Sequence, residues 1–116
     1  MALYVTEEEF DELVDLGLQR IPREILRHVT NVAIVVEDAN SEDPTILGLY
    51  EGVALTDRTS EYTSILPDKI SIYRQPLCEM AANHTELVEQ VAITVIHELA
   101  HHFGIDDERL HELGWA

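Results

Sequence analysis

The stretch that decides the fold runs from His97 to Asp107 and reads His-Glu-Leu-Ala-His-His-Phe-Gly-Ile-Asp-Asp. It contains the pattern HExxH and extends it to HExxHxxGxxD. On an α-helix, residues four apart lie about 40° apart around the axis and about 6 Å apart along it. His97 and His101 therefore project from one face, where two imidazole nitrogens can converge on one metal ion. Glu98 flanks this pair and can reach a metal-bound water, which is the position of a general base.

The residues after the second histidine offer a third ligand. We expect the helix to end at Gly104, because glycine accepts the left-handed conformation that ends helices. The turn can then bring an oxygen of Asp107 back toward the histidines. Three protein ligands and one open position are typical of a catalytic zinc site. Asp106 is the chief competitor of Asp107, His111 is a further candidate ligand or supporting partner, and either aspartate can instead cap a helix.

At this point the sequence resembles a known family. HExxHxxGxxD is the motif of the Asp-zincins, and the short length and the segment 107–115 are similar to the bacterial mini-zincin family of metallopeptidases. The resemblance covers the whole chain and implies a Zn²⁺ ion bound by His97, His101 and Asp107, with Glu98 as the general base. Nine residues follow Asp107 and none is methionine, so the methionine turn of metzincins is missing. We expect Trp115 to form the floor of the site instead.

Composition excludes several classes of protein. A chain of 116 residues predicts one domain spanning 1–116, and 46% hydrophobic with 26% charged residues is typical of a soluble globule. The net charge of −16 argues against nucleic acid and against anionic membranes as partners.

A single cysteine, Cys78, fits a reducing compartment, where we expect it to be a buried hydrophobe. With no signal peptide and no apolar run long enough to span a bilayer, we expect a cytoplasmic protein.

Apolar periodicity and capping signals predict an α+β fold, with a small mixed or antiparallel sheet packed on the helix that carries HExxH. The predicted elements are a helix over 6–20, a short helix over Glu24–His28, a buried central strand over Val32–Val36, an irregular edge strand over Ile46–Leu55, a half-exposed strand over Lys69–Arg74, a short helix from Pro76, a long helix over 84–103 and a last helix over 107–113.

The long helix is expected to have one polar stripe on a largely buried surface. The stripe lies within about 80° on a helical wheel and comprises Glu86, Gln90, Thr94, His97 and His101. It should line a cleft. His102 lies about 140° from His97 and cannot share its metal without distortion, so we expect it to support the structure or the ligands. Tyr50, Tyr62 and Tyr73 are candidate donors to a developing oxyanion.

These features favour a zinc-dependent peptidase acting on a peptide or protein, as a monomer or homodimer. Zinc would activate a water and Glu98 would take its proton. Two alternatives stay open at this point. The chain can be a non-catalytic metal-binding or interaction module, since a substrate pocket usually needs more walls. It can also hold a closed structural zinc site with His111 as fourth ligand.

Overall fold

A computed structural model of the chain describes residues 3–27, 31–52, 67–112 and 114–115. Helices and a small mixed sheet make up these residues, which confirms the predicted α+β class. In chain order the elements are α1 (Glu7–Leu18), α2 (Arg23–Leu26), β1 (Val32–Glu37), β2 (Gly48–Glu51), β3 (Asp68–Tyr73), α3 (Arg74–Met80), α4 (His84–Phe103) and α5 (Asp107–Glu112).

The N-terminal helix begins where its capping signal predicts. The Thr6 hydroxyl accepts a hydrogen bond from the Glu9 N–H (3.1 Å), and the Glu9 carboxylate accepts one from the Thr6 N–H (3.3 Å). Such a reciprocal pair satisfies two amides that have no partner within the helix. Of the predicted Glu24–His28 helix, α2 covers the first part, and His28 lies outside the described residues.

The long helix α4 has the predicted bounds because both of its ends carry local signals. The Asn83 side chain accepts the Glu86 N–H at 2.8 Å and caps its first turn. At the other end, Gly104 adopts the left-handed conformation (φ 73°). The Ile105 N–H then returns to the Ala100 carbonyl at 2.9 Å, the six-to-one bond of a Schellman motif. The chain therefore turns sharply between the second histidine and the aspartates.

β3, and not β1 as predicted, is the central strand of the sheet. The order in the sheet is β1-β3-β2, with β1 parallel and β2 antiparallel to β3. The prediction that Val32–Val36 is the buried central strand is therefore wrong, since β1 lies at an edge and is only half-buried. β3, predicted to be half-exposed, is central and buries Ile70, Ser71 and Ile72 completely. A run of β-branched residues marks a strand but does not determine its neighbours, which depend on the whole chain path.

The strand β2 lies at the predicted edge but is shorter than predicted, with residues 53–55 outside the described part of the chain. It approaches α4 closely at Gly48, where an added Cβ would lie only 2.6 Å from Cγ2 of Thr94. Real Cβ atoms do not come this close to another carbon. Glycine at this position thus sets the distance between the edge strand and the helix that carries HExxH.

The core lies between α4, α1 and the inner face of the sheet. The side chains of α4 outside the polar stripe are mostly buried, as predicted, and they pack with Phe10 and Ile25 among others. Cys78 is buried as expected, and burial raises the pKa of its thiol. In the described part of the chain, no helix combines the length and apolar character needed to cross a bilayer.

Candidate active site

The two histidines of HExxH lie one turn apart on the last two turns of α4. His97 is half-buried and His101 is exposed. Their helical spacing places both on the side of α4 that carries the polar stripe, while Leu99 and Ala100 turn into the core. The helix is anchored by this apolar side, so the histidines extend from a rigid support at its accessible side.

Glu98 follows His97 on α4 and is half-buried beside the pair of histidines. Burial raises the pKa of its carboxyl group above the ordinary value, while His101, His97 and a hydrogen bond from the backbone N–H of Tyr50 act in the opposite direction. A carboxyl group whose pKa rises toward neutrality is a better proton acceptor than an exposed one. The same N–H also orients the carboxylate, so the edge strand β2 contributes directly to the surroundings of Glu98.

Trp115, which the sequence analysis predicts to form the floor of the site, contacts the first histidine through its backbone. Its carbonyl oxygen is 3.0 Å from Nε2 of His97, and its own N–H donates to the Leu110 carbonyl at 2.8 Å. Donation of Nε2–H to a carbonyl leaves Nδ1 of a neutral imidazole as the free acceptor. Histidine ligands of metals commonly donate their other ring N–H to such a carbonyl. The contact is therefore compatible with a ligand role of His97 through Nδ1.

The third ligand predicted from the motif belongs to α5. Asp107 is its first residue, and its side chain lies outside the described part of the structure. The competitor Asp106 caps this helix, with its carboxylate accepting the Arg109 N–H at 2.8 Å. His111 is exposed on the same helix. Arg109 pairs with both Glu112 and Glu24, which connects α5 to α2.

A cavity of about 360 Å³ opens next to His97. Its lining combines apolar and charged side chains with the turn after α5: Arg20, Glu89, Ile93, His97, Gly114 and Trp115. Among side chains that are described, no three of His, Cys, Asp and Glu come together as a metal site. The two histidines offer nitrogen atoms that suit zinc, and the predicted third ligand, the side chain of Asp107, lies outside the described part of the structure.

The tyrosines predicted as oxyanion donors have other partners. The Tyr50 hydroxyl donates to Asp68 at 2.7 Å, and the Tyr73 hydroxyl accepts from the Asn40 amide at 2.9 Å. Tyr62 lies outside the described residues. Sequence analysis missed the part that Tyr50 plays through its backbone N–H and also missed Asp68 as the partner of its hydroxyl. No local pattern signals either role, since both depend on the pairing of β2 with β3.

Comparison with known proteins agrees with the fold and with the family that the sequence resembles. A conserved hypothetical protein from Thermus thermophilus has a similar structure, with a TM-score of 0.53 and 23% sequence identity over 94% of this chain and 97% of that one. No curated protein matches the chain. The sequence profile of the zincin-like metallopeptidase family matches residues 29–115, and the chain belongs to this family. Zinc binding is a general property that the family implies.

Proposed function

We propose that this protein is a zinc-dependent peptidase in which His97, His101 and Asp107 hold the metal and Glu98 is the general base. The observation that carries the proposal is the setting of Glu98, which flanks the two histidines and is half-buried, with a raised pKa and a backbone N–H on its carboxylate. A glutamate that only makes the surface soluble is exposed and has an ordinary pKa, whereas perturbed pKa values are concentrated at functional sites.

The chain's own residues can be given definite roles in peptide hydrolysis. Bound zinc would supply a Lewis acid that polarises the scissile carbonyl and lowers the pKa of a water. The Glu98 carboxylate takes a proton from the attacking water and delivers it to the leaving amine. The Tyr50 N–H keeps that carboxylate oriented, and the Trp115 carbonyl fixes the ring of His97.

We propose a peptide or protein as the substrate, bound in extended form along β2. This strand lies at an edge of the described sheet, and it passes Glu98 at Tyr50. An extended peptide can add to such an edge through main-chain hydrogen bonds, here with backbone groups of β2 other than the Tyr50 N–H, which donates to Glu98. The cavity beside His97 would then accept a side chain on the opposite side of the histidines.

The test combines zinc content by elemental analysis with hydrolysis of a mixed peptide library, for wild type, Glu98→Gln and the control Glu12→Gln. Glu12 is exposed on α1, an element that carries none of the candidate site residues. We expect one zinc per chain in all three proteins, with cleavage that Glu98→Gln abolishes, Glu12→Gln retains and a chelator removes. Zinc without cleavage in any of them would favour a non-catalytic metal-binding module. Failure to take up zinc at neutral pH would refute the ligand set.

Zinc affinity provides a second test that does not depend on finding a substrate. Ligands bind the metal in their deprotonated forms, so acid competes with zinc for the two imidazoles and the carboxylate. We expect the affinity to weaken steadily from neutral to mildly acidic pH in a titration of the metal-free protein. An affinity that stayed constant over that range would contradict the assignment of two histidine ligands.

A further inference from the structure

A second group of side chains meets on the side of α4 that faces β2, next to the candidate site. The ring of His102 stacks on the ring of Tyr50, with centroids 3.8 Å apart and planes 15° apart. Phe103 meets both rings edge-on, at 5.0 Å from His102 and 6.1 Å from Tyr50. The end of α4 thus contacts the edge strand β2 through aromatic side chains.

Asp68 on the central strand completes this arrangement. Its Oδ2 accepts the Tyr50 hydroxyl at 2.7 Å and lies 3.7 Å from Nε2 of His102. The Asp68 side chain is 16% exposed and the His102 side chain 41% exposed, so the hydrogen bond between Tyr50 and Asp68 is partly shielded from water and the contact with His102 is open to it. We call the set Tyr50, Asp68 and His102 the strand clamp. It joins three elements, namely β2, β3 and α4.

The strand clamp matters for the site because Tyr50 acts through its backbone. The N–H of Tyr50 donates to the Glu98 carboxylate, and the side chain of the same residue is the one that His102 and Asp68 hold. β2 pairs with β3 over only four residues, and no strand of the described sheet lies on its other side. Pairing with β3 sets the register of Tyr50, and we expect the contacts of the Tyr50 ring to hold its N–H against Glu98.

We infer that His102 is a positioning residue, which fixes Tyr50 so that its N–H stays on the carboxylate of Glu98. This inference rests on the proposed role of Glu98 as the base. His102 touches neither substrate nor metal in this role. Its ring supplies the stacking surface, while Asp68 fixes the far end of Tyr50.

The experiment uses metal-free protein and measures amide hydrogen exchange residue by residue by NMR. His102→Ala removes the stacking ring, His102→Phe keeps it, and His84→Ala changes an exposed histidine at the start of α4 as a control. We expect His102→Ala to accelerate exchange at the Tyr50 amide by about tenfold, as loss of one aromatic pair implies. Exchange at Val91 and Leu99 should stay unchanged, and His102→Phe should restore the wild-type rate at Tyr50.

Steady-state kinetics of the zinc-loaded proteins provide the second readout. We expect His102→Ala to lower kcat with little change in KM, and His102→Phe to recover most of kcat. The inference is overturned if the Tyr50 amide does not respond, if all amides accelerate alike, or if kcat is unaffected while exchange at Tyr50 rises. A wild type without peptidase activity would refute the proposed function and, with it, the link to the base, whereas the exchange rates still decide whether His102 holds β2.

Discussion

Gly48 lets β2 lie close to α4 because it has no side chain, and replacing it by alanine tests how closely these two elements must approach. A Cβ at this position would lie 2.6 Å from Cγ2 of Thr94 and 3.1 Å from the backbone oxygen of Ser71. The first distance is roughly 1 Å shorter than the optimal separation of two carbon atoms. Thr94 is 8% exposed and Ser71 belongs to the central strand, so neither can move freely. The edge strand must shift instead.

The size of the effect follows from overpacking in a buried contact. Added methylenes in a close-packed core typically cost about 1–3 kcal/mol, and we expect Gly48→Ala to lower the free energy of unfolding by about 2 kcal/mol. For a domain of this size that corresponds to a fall in Tm of roughly 10 °C. Because the strand moves away from α4, we also expect the Tyr50 amide to leave Glu98 and to exchange faster.

A double-mutant cycle identifies the clash. Thr94→Ser removes the methyl group that Cβ would meet, and by itself should cost about 0.8 kcal/mol for one buried carbon. The double variant should lose less unfolding free energy than the sum of the two single losses. We expect this difference, the coupling energy, to be about 1 kcal/mol in urea denaturation. A loss below about 0.5 kcal/mol for Gly48→Ala, or additive effects in the cycle, would refute the close approach.

Three further predictions concern single residues. Glu98→Gln should stabilise the metal-free protein at neutral pH but not near pH 4. Burial raises the pKa of Glu98, so ionisation of its carboxyl group destabilises the folded state as the pH rises. Equal shifts of the urea midpoint at both pH values would contradict this. Gly104→Ala should lower stability by about 1 kcal/mol through its positive φ alone, since a Cβ there meets nothing within 4 Å. An unchanged Tm would refute that cause. Thr6→Ala should lower the free energy of unfolding by about 1 kcal/mol by removing the cap of α1, and Thr6→Ser should keep most of the stability that the cap provides. An equal fall in Tm in both variants would exclude the hydroxyl as the cause.

Much of the candidate site could be predicted because its signals are local. The spacing of His97 and His101 places them on one side of any helix, whatever surrounds it. Asn83 and Gly104 fix the two ends of that helix through contacts within a few residues. Asp106 similarly caps the next helix. The roles of the ligands themselves remain predictions, and the side chain of Asp107 is not described.

The rest of the site depends on residues that are distant in the chain. Tyr50 reaches Glu98 and His102 only because β2 pairs with β3 and lies against α4. Its partner Asp68 is 18 residues away in sequence, and no periodicity connects the two. Tyr50, predicted as an oxyanion donor, contacts the Glu98 carboxylate through its backbone N–H, a group that sequence patterns do not reveal.

The sequence by itself determined the long helix α4, its two ends and the shared side of both histidines, because capping and helical periodicity act over a few residues; it placed the start of α3 at Pro76, whereas this helix begins at Arg74. Only the tertiary structure decided that β3 is the central strand, that Glu98 is half-buried under the edge of β2, and that His97 meets the Trp115 carbonyl. Strand order and burial arise from pairing between segments far apart in the chain. Such pairings depend on the whole set of competing contacts, which no short stretch encodes.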